Sequence, residues 1–312
     1  MRARVSVFMS VYNGARFLPE AVDSVLAQTM SDFQFIVVDD GSTDSTPEIL
    51  RKYQEKDERI VVLSQPNRGI PASLNRAIAT AETELLAHLD ADDRALPFWL
   101  EKQMEFLQQY PDNTVVCSYA YLIDAEGKRI GKSKNPVDVK RGIAELNPEL
   151  FLDVIHSTVL MRKNRLLEVG AYREGQRYLE DRDLWGRLVT AGQSIRCNPE
   201  MLVEYRVHSA SVTVKKRDPM EVMLGRSISL NVVRRLRGET ELSPEEAAQW
   251  FASRPFHERL KQARKVTSGR YFREAARHYA ERRWFRLAIA LGIATAIRPL
   301  YALQRAGRKV LG

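Results

Sequence analysis

The chain has 312 residues, 44% hydrophobic and 28% charged, which is enough apolar material for one large buried domain with an appendage and too much for a disordered protein. Its net charge of +8 is uneven: residues 1–214 carry 26 Lys and Arg against 31 Asp and Glu, whereas residues 215–312 carry 22 against 9. Only Cys117 and Cys197 are present, 80 positions apart, which excludes a disulfide framework or a Cys/His zinc cluster and predicts two buried thiols in a reducing compartment.

The first β-rich segment, Val5 to Val11, stops at an Asn13-Gly14 turn signal. It is basic at Arg2 and Arg4, is interrupted at Ser6 and Ser10 and lacks a small-residue cleavage signature, so it reads as a strand and not an export signal. A helix is predicted near 15–28, where Phe17, Ala21, Val22, Val25 and Leu26 share a face. Strand 33–38 ends in Asp39-Asp40-Gly41-Ser42-Thr43-Asp44 and leads to a helix near 46–54. Capping accounts for Thr43 or Asp44, but a single cap does not need two preceding carboxylates. Strand 60–64 passes through Asn67-Arg68-Gly69 to a helix near 71–80, and strand 84–89 reaches Asp90-Ala91-Asp92-Asp93. This alternation predicts right-handed crossovers and a parallel sheet, and the absence of a Gly-x-Gly-x-x-Gly after the first strand argues against a dinucleotide-dependent dehydrogenase.

After a helix near 98–109 the pattern changes. Segments 114–123 and 128–131 flank a hairpin turn, 157–161 and 202–207 read as strands, and 163–169 and 181–191 as helices. The apolar run Leu287 to Ile297, preceded by Arg282, Arg283 and Arg286, falls short of the ~20 residues that cross a bilayer. It suits either a membrane surface with anionic lipids or docking on protein.

A strand that ends in Asp-x-Asp projects two acids toward one face, where they can hold a hard divalent cation against phosphate oxygens. Alone, such a triplet is as common in solvated turns. Together with Ser10-Val11-Tyr12-Asn13, Val38 to Asp44, Asn67-Arg68-Gly69, Glu180-Asp181 and Tyr205-Arg206-Val207-His208, it resembles the inverting family 2 glycosyltransferases of GT-A fold over roughly Val5 to Thr213. The resemblance implies a mixed, mainly parallel α/β sheet sandwiched by helices, with a helical basic C-terminal extension. The GT-A domain would occupy 1–214, divided into a nucleotide-binding half to about 110 and an acceptor half at about 111–214, with the extension at 215–312.

By the same resemblance, Asp92 binds Mn²⁺ or Mg²⁺ with His208 as a second ligand, Asp181 is the catalytic base and Glu180 meets the acceptor; Trp185, as an aromatic residue close by in the sequence, is a candidate acceptor platform. Ser10, Tyr12, Asp40, Asn67, Arg68 and Asp90 would bind the nucleotide donor, a UDP-sugar being favoured. Local alternatives stand beside these roles. A lone His is usually a surface or core residue, acids at a helix N-terminus are favourable by ~0.3–1 kcal/mol without any chemistry, and Trp185 suits a helix-sheet core equally well. His88 and His156 are weaker metal candidates. The chain lacks the Gln-x-x-Arg-Trp motif and the several membrane helices of processive synthases, which favours single-sugar transfer to a glycan or lipid-linked acceptor in cell-surface polysaccharide or lipopolysaccharide synthesis. The expected location is cytoplasmic, peripheral at the inner membrane face through residues 282–309, with nucleic acid disfavoured as a partner. The rivals are a binding module without turnover and a sugar-phosphate nucleotidyltransferase. No Gly-rich, Lys-bearing triphosphate loop supports the second.

Overall fold

The computed structural model describes residues 3–134, 137–176, 178–208 and 219–255, with 289, 290 and 293. Most of the apolar segment Leu287–Ile297 and nearly all of 282–309 therefore lie outside the described residues. The chain divides into two compact units: 1–121, 133–205 and 231–240 form the first, and 122–132, 206–230 and 241–312 the second.

In the first unit, β1 (Val5–Val11), β2 (Phe33–Asp39), β3 (Ile60–Ser64) and β4 (Leu85–His88) alternate with α1 (Leu18–Leu26), α2 (Thr46–Gln54) and α3 (Ile70–Thr80). All three pairings among these strands are parallel, β2 lying between β1 and β3 and β1 between β2 and β4. Their registers, Val11 with Asp39, Asp39 with Ser64 and Phe8 with His88, bring the carboxyl ends to one edge. That edge is where ligands bind in open α/β sheets. Both faces are covered, which is why the strands read as nearly continuous apolar runs. Val5, Val7, Met9, Phe35 and Val37 enter one core with Leu18, Val22 and Val25 of α1. Phe8, Ile36 and Val38 are also buried, and α3 packs on β1 and β2.

The chain continues through β5 (Arg94–Ala95), α4 (Trp99–Gln109), β6 (Val115–Ile123), β7 (Arg129–Ser133) and two short helices, α5 (Val139–Ala144) and α6 (Glu149–Leu152). A 3-10 turn, His156–Thr158, precedes β8 (Leu160–Arg162), and α7 (Lys163–Glu168), α8 (Glu180–Thr190) and β9 (Ile195–Arg206) follow. The strand order is β3-β2-β1-β4-β8-β6-β9-β5, with β7 paired to β6. β8 runs antiparallel to β4, Ala87 facing Leu160, so the sheet is mixed but mainly parallel, the expected fold class. The strand expected over 157–161 is corrected: its first residues form the 3-10 turn, and Gln103 of α4 holds that turn by donating to the Thr158 carbonyl at 2.5 Å. Cys117 on β6 is buried and Cys197 on neighbouring β9 only half-buried, a correction to the expected pair of buried thiols; the Cys197 thiol and burial together push the Cys117 thiol well up.

In the second unit, Asp124 closes the hairpin turn by accepting from Glu126 N at 3.2 Å and Lys128 N at 2.9 Å. Arg206, almost wholly buried, donates to the Asp124 and Ala125 carbonyls at 3.2 and 3.1 Å. α9 (Pro219–Leu236), whose residues from Asn231 on belong to the first unit, and α10 (Pro244–Ala252) follow, and α10 starts with a capping box between Ser243 and Glu246.

Candidate active site

The β1–α1 and β2–α2 loops are knitted together at the carboxyl edge. Asn13, left-handed at φ 52°, donates its N–H to Ser42 Oγ at 2.8 Å, and its Oδ1 accepts from Thr43 N at 2.8 Å. Gly14 N and Ala15 N donate to Thr46 Oγ1 and Asp44 Oδ2 at 3.0 and 3.1 Å. These bonds delay α1 until Leu18, three residues later than its apolar periodicity suggests. Gly41 has φ 78°, and a Cβ there would lie 2.8 Å from Asn67 N, so only glycine lets this loop pass the next one.

Asp40 straps that next loop in place. Its carboxylate is buried and accepts from Gln65 Nε2 at 2.7 Å, Arg68 N at 2.9 Å and Gly69 N at 2.8 Å. Arg68 itself is exposed and pairs with Glu174 at 3.1 Å, and Asn67 is exposed beside it. Tyr12 presents a ring that is 52% exposed at the end of β1, and Ser10 is half-buried.

Asp90 follows β4 and keeps 42% of its side chain open to solvent. Ser157 Oγ donates to its Oδ2 at 2.7 Å and accepts from its backbone N–H at 3.2 Å. This contact follows from topology, because antiparallel β8 begins where β4 ends and so brings the preceding 3-10 turn to the same edge. His88 and His156 stack behind Asp90 with centroids 3.7 Å apart and planes 21° apart. Burial pushes both imidazoles down, His156 the further. His156 Nε2 meets the Tyr172 hydroxyl at 2.7 Å, and Asn75 of α3 clasps the Tyr172 backbone by donating to its carbonyl at 2.7 Å and accepting from its N–H at 3.0 Å.

The chain enters α8 through Leu179, a non-glycine residue at φ 60°, and immediately presents Glu180 and Asp181. A left-handed leucine stores strain, which concentrates at functional sites. Arg187 ties α8 to the turn before it, bonding Asp183 Oδ2 at 2.8 Å and the Val169 and Ala171 carbonyls at 2.5 and 2.6 Å. Burial pushes Glu180 up to about 8, helped by the charge of Asp181. It pushes Asp181 up to about 6, against the Arg182 N–H that donates to Oδ1 at 2.7 Å. Asp90 is raised by partial desolvation and by the charge of Asp92, and its own charge adds to the rise at both Glu180 and Asp181. The folded chain thus brings acids some 90 positions apart into one electrostatic cluster. Arg182, next to Asp181 in the chain, directs its guanidinium to Glu149 at 3.1 Å and to Asp153. Crowded carboxylates of this kind suit a hard divalent cation.

His88, Asp90 and His156 have potential ligand atoms within 4.8 Å of one another. Their geometry disfavours a shared ion, because imidazole lone pairs lie in the ring plane and stacked rings point them side by side. His208 follows β9 in the second unit. Trp185, expected at the acceptor, requires correction: it is 0% exposed and meets His156 edge-on at 6.0 Å, so it packs behind the site instead of offering a face to a sugar. Ser157, Tyr172 and Asn75 escaped sequence reasoning. The available signal was polar residues beside buried apolar ones, as with His88 within Leu85-Leu86-Ala87-His88-Leu89.

The profile of a family described as Glycosyl transferase family 2 matches residues 6–167. An uncharacterized glycosyltransferase of Methanocaldococcus jannaschii is 35% identical over 209 residues, covering 65% of this chain and 70% of that protein. The O-antigen biosynthesis glycosyltransferase WbnJ of Escherichia coli is 31% identical over 211 residues, covering 66% and 81%. The chain spans about two thirds of the length of the curated relatives it matches first. Among solved structures, S. aureus TarS 1–349 in complex with UDP-GlcNAc superposes with a TM-score of 0.62 at 16% identity, covering 96% of this chain and 92% of that one, a likeness of fold.

Proposed function

This chain belongs to glycosyl transferase family 2 and is a glycosyltransferase, and from that premise we propose that it is a metal-dependent, inverting enzyme. It moves one sugar from a nucleotide-diphosphate donor to a glycan or lipid-linked acceptor in cell-surface polysaccharide or lipopolysaccharide synthesis. The carrying observation is that the charge of Asp90 helps to raise both Glu180 and Asp181, which draws acids from the end of β4 and the start of α8 to one place. The O-antigen role of one relative and the UDP-GlcNAc bound to TarS support a nucleotide sugar, with UDP favoured.

In this reading Tyr12 stacks on the base, Ser10 meets its edge, and Asp40 acts through the loop that carries Asn67 and Arg68 toward the donor. Asp90 orients the ribose or sugar. Asp92, with His208 as a second ligand, would hold Mn²⁺ or Mg²⁺, which when bound neutralises charge on the departing diphosphate. Asp181 takes the proton from the attacking acceptor hydroxyl. A carboxyl raised to about 6 suits that task, since it is mostly ionised at neutral pH yet more basic than an ordinary aspartate. Glu180, held protonated at neutral pH by its upward shift, donates a hydrogen bond to the acceptor. The nucleotide half to about 110, the acceptor half at about 111–214 and the basic extension at 215–312 complete the arrangement. No described helix is long and apolar enough to cross a membrane, and we place the enzyme at the cytoplasmic face, associated peripherally through 282–309.

A panel of nucleotide sugars with Mn²⁺ or Mg²⁺, scored for thermal shift and slow nucleotide release, tests this proposal. Stabilisation and release by a UDP-sugar, both abolished by a chelator, are expected. A protein indifferent to every nucleotide sugar with either metal would defeat it.

A further inference from the structure

We propose that Ser157 is a positioning residue that sets the orientation of Asp90, an inference resting on the reading of Asp90 as a donor-binding acid. A carboxylate at the end of a short strand ordinarily samples several staggered side-chain rotamers. Here one hydroxyl closes on it twice, donating to Oδ2 at 2.7 Å and accepting from the backbone N–H of the same residue at 3.2 Å. The small ring so formed fixes the first side-chain torsion of Asp90. It also commits Oδ2. Oδ1, 3.7 Å from His88 Nε2, lies beyond hydrogen-bond length of that ring.

The clamp works only if Ser157 is itself immobile, and the surrounding contacts supply that. Ser157 is 0% exposed. On one side of it, Thr158 is held by Gln103 of α4 at 2.5 Å. On the other side, His156 is held by the Tyr172 hydroxyl at 2.7 Å and stacked on His88, while Asn75 fixes the Tyr172 backbone from α3. The 3-10 turn is thus fastened to two helices and to the residue two positions before Asp90. Such support matters because misplacing a binding group by ~1 Å can cost on the order of 100-fold in rate.

Two variants test the inference. Ser157→Ala removes the clamp, whereas Tyr172→Phe leaves Ser157 in place and loosens only the turn behind it. The crystal structure of each is determined, and UDP affinity in the presence of Mn²⁺ is measured by calorimetry. In Ser157→Ala, Asp90 is expected to adopt a different or split rotamer and UDP affinity to fall about tenfold or more, as for a lost hydrogen bond to a charged group. Tyr172→Phe is expected to give a smaller loss in the same direction. An Asp90 that stays in place in Ser157→Ala overturns the inference, and so does one that rotates while UDP affinity is unchanged. If the parent protein itself fails to bind UDP with Mn²⁺, the functional reading falls, and the Asp90 rotamer still decides the positioning claim.

Discussion

Replacing Asp40 by Asn separates a structural strap from a base reader. The native carboxylate accepts from Gln65 Nε2 and Arg68 N at Oδ1, and from Gly69 N at Oδ2. In Asp40→Asn the best orientation keeps the amide oxygen at the Oδ1 position and turns the NH₂ group toward the Gly69 N–H. One charge-assisted bond is lost, and two donors face each other. A hydrogen bond to a charged group contributes about 1.5–3 kcal/mol and an orphaned buried donor costs about 1–3 kcal/mol, so the expected destabilisation is about 3 kcal/mol. For a domain of this size that lowers the melting temperature by about 6–12 °C. Urea denaturation at pH 7 measures the loss, with Tyr12→Ala as the control, since truncating a ring that is 52% exposed should change stability by less than about 0.5 kcal/mol. A fully stable Asp40→Asn with weakened nucleotide binding would refute the strap and return Asp40 to direct contact with the base.

Asp181→Asn should lower turnover by about 10²–10⁴-fold while keeping donor affinity. Because the base works deprotonated, parent turnover should rise as pH passes through about 6 and then level. Nucleotide release checks both, and equal turnover in the variant removes the base assignment. Glu180→Gln addresses stability: a carboxyl raised to about 8 holds its proton more tightly in the folded than in the unfolded chain, so folding weakens as pH climbs from about 4.5 toward 8. The variant should flatten that decline in melting temperature, and an unchanged slope would show that the carboxyl is not buried as described. Gly186→Ala would place a Cβ 2.5 Å from Val232 Cγ2 and 3.1 Å from an Arg235 guanidinium nitrogen. Overpacking there should cost about 1–3 kcal/mol in a denaturation experiment, and a neutral outcome would mean that α8 and the end of α9 are not in close contact.

The first four strands were legible because burial on both faces writes apolar runs of strand length between turn residues. Their acids were legible because residues at strand ends are exposed to ligand by topology alone. What escaped was set by distant partners. α1 starts late because the N–H groups of Asn13, Gly14 and Ala15 bond to side chains about 30 positions downstream. The segment Ser157-Thr158-Val159-Leu160-Met161 has strand composition, yet its first residues are wound into a 3-10 turn that Gln103 and Tyr172 pin from outside. The two-residue β5 is too short to leave a pattern. Trp185 was the avoidable error, since Leu184, Trp185, Leu188 and Val189 fall at helical spacing and all are buried.

The difference between these cases is physical. Asp90 and Asp181 can be nominated from their own neighbourhoods because the charge they carry is a property of the residue. Their basicity and orientation are not. The upward shift of Asp181 comes first from burial and then from Asp90, far away in sequence, while Asp90 is held by Ser157, 67 positions on. Both relations exist only once β8 has paired antiparallel with β4 and α8 has been tied to the turn at Val169–Ala171. A substitution that shifts the β8 register by one residue would keep every acidic residue in the chain and still carry the 3-10 turn that leads into β8, and Ser157 with it, about 3 Å along β4 and away from Asp90. Loss of nucleotide binding in such a variant, with the fold retained, would separate the chemistry the acids carry from the geometry that puts it to use.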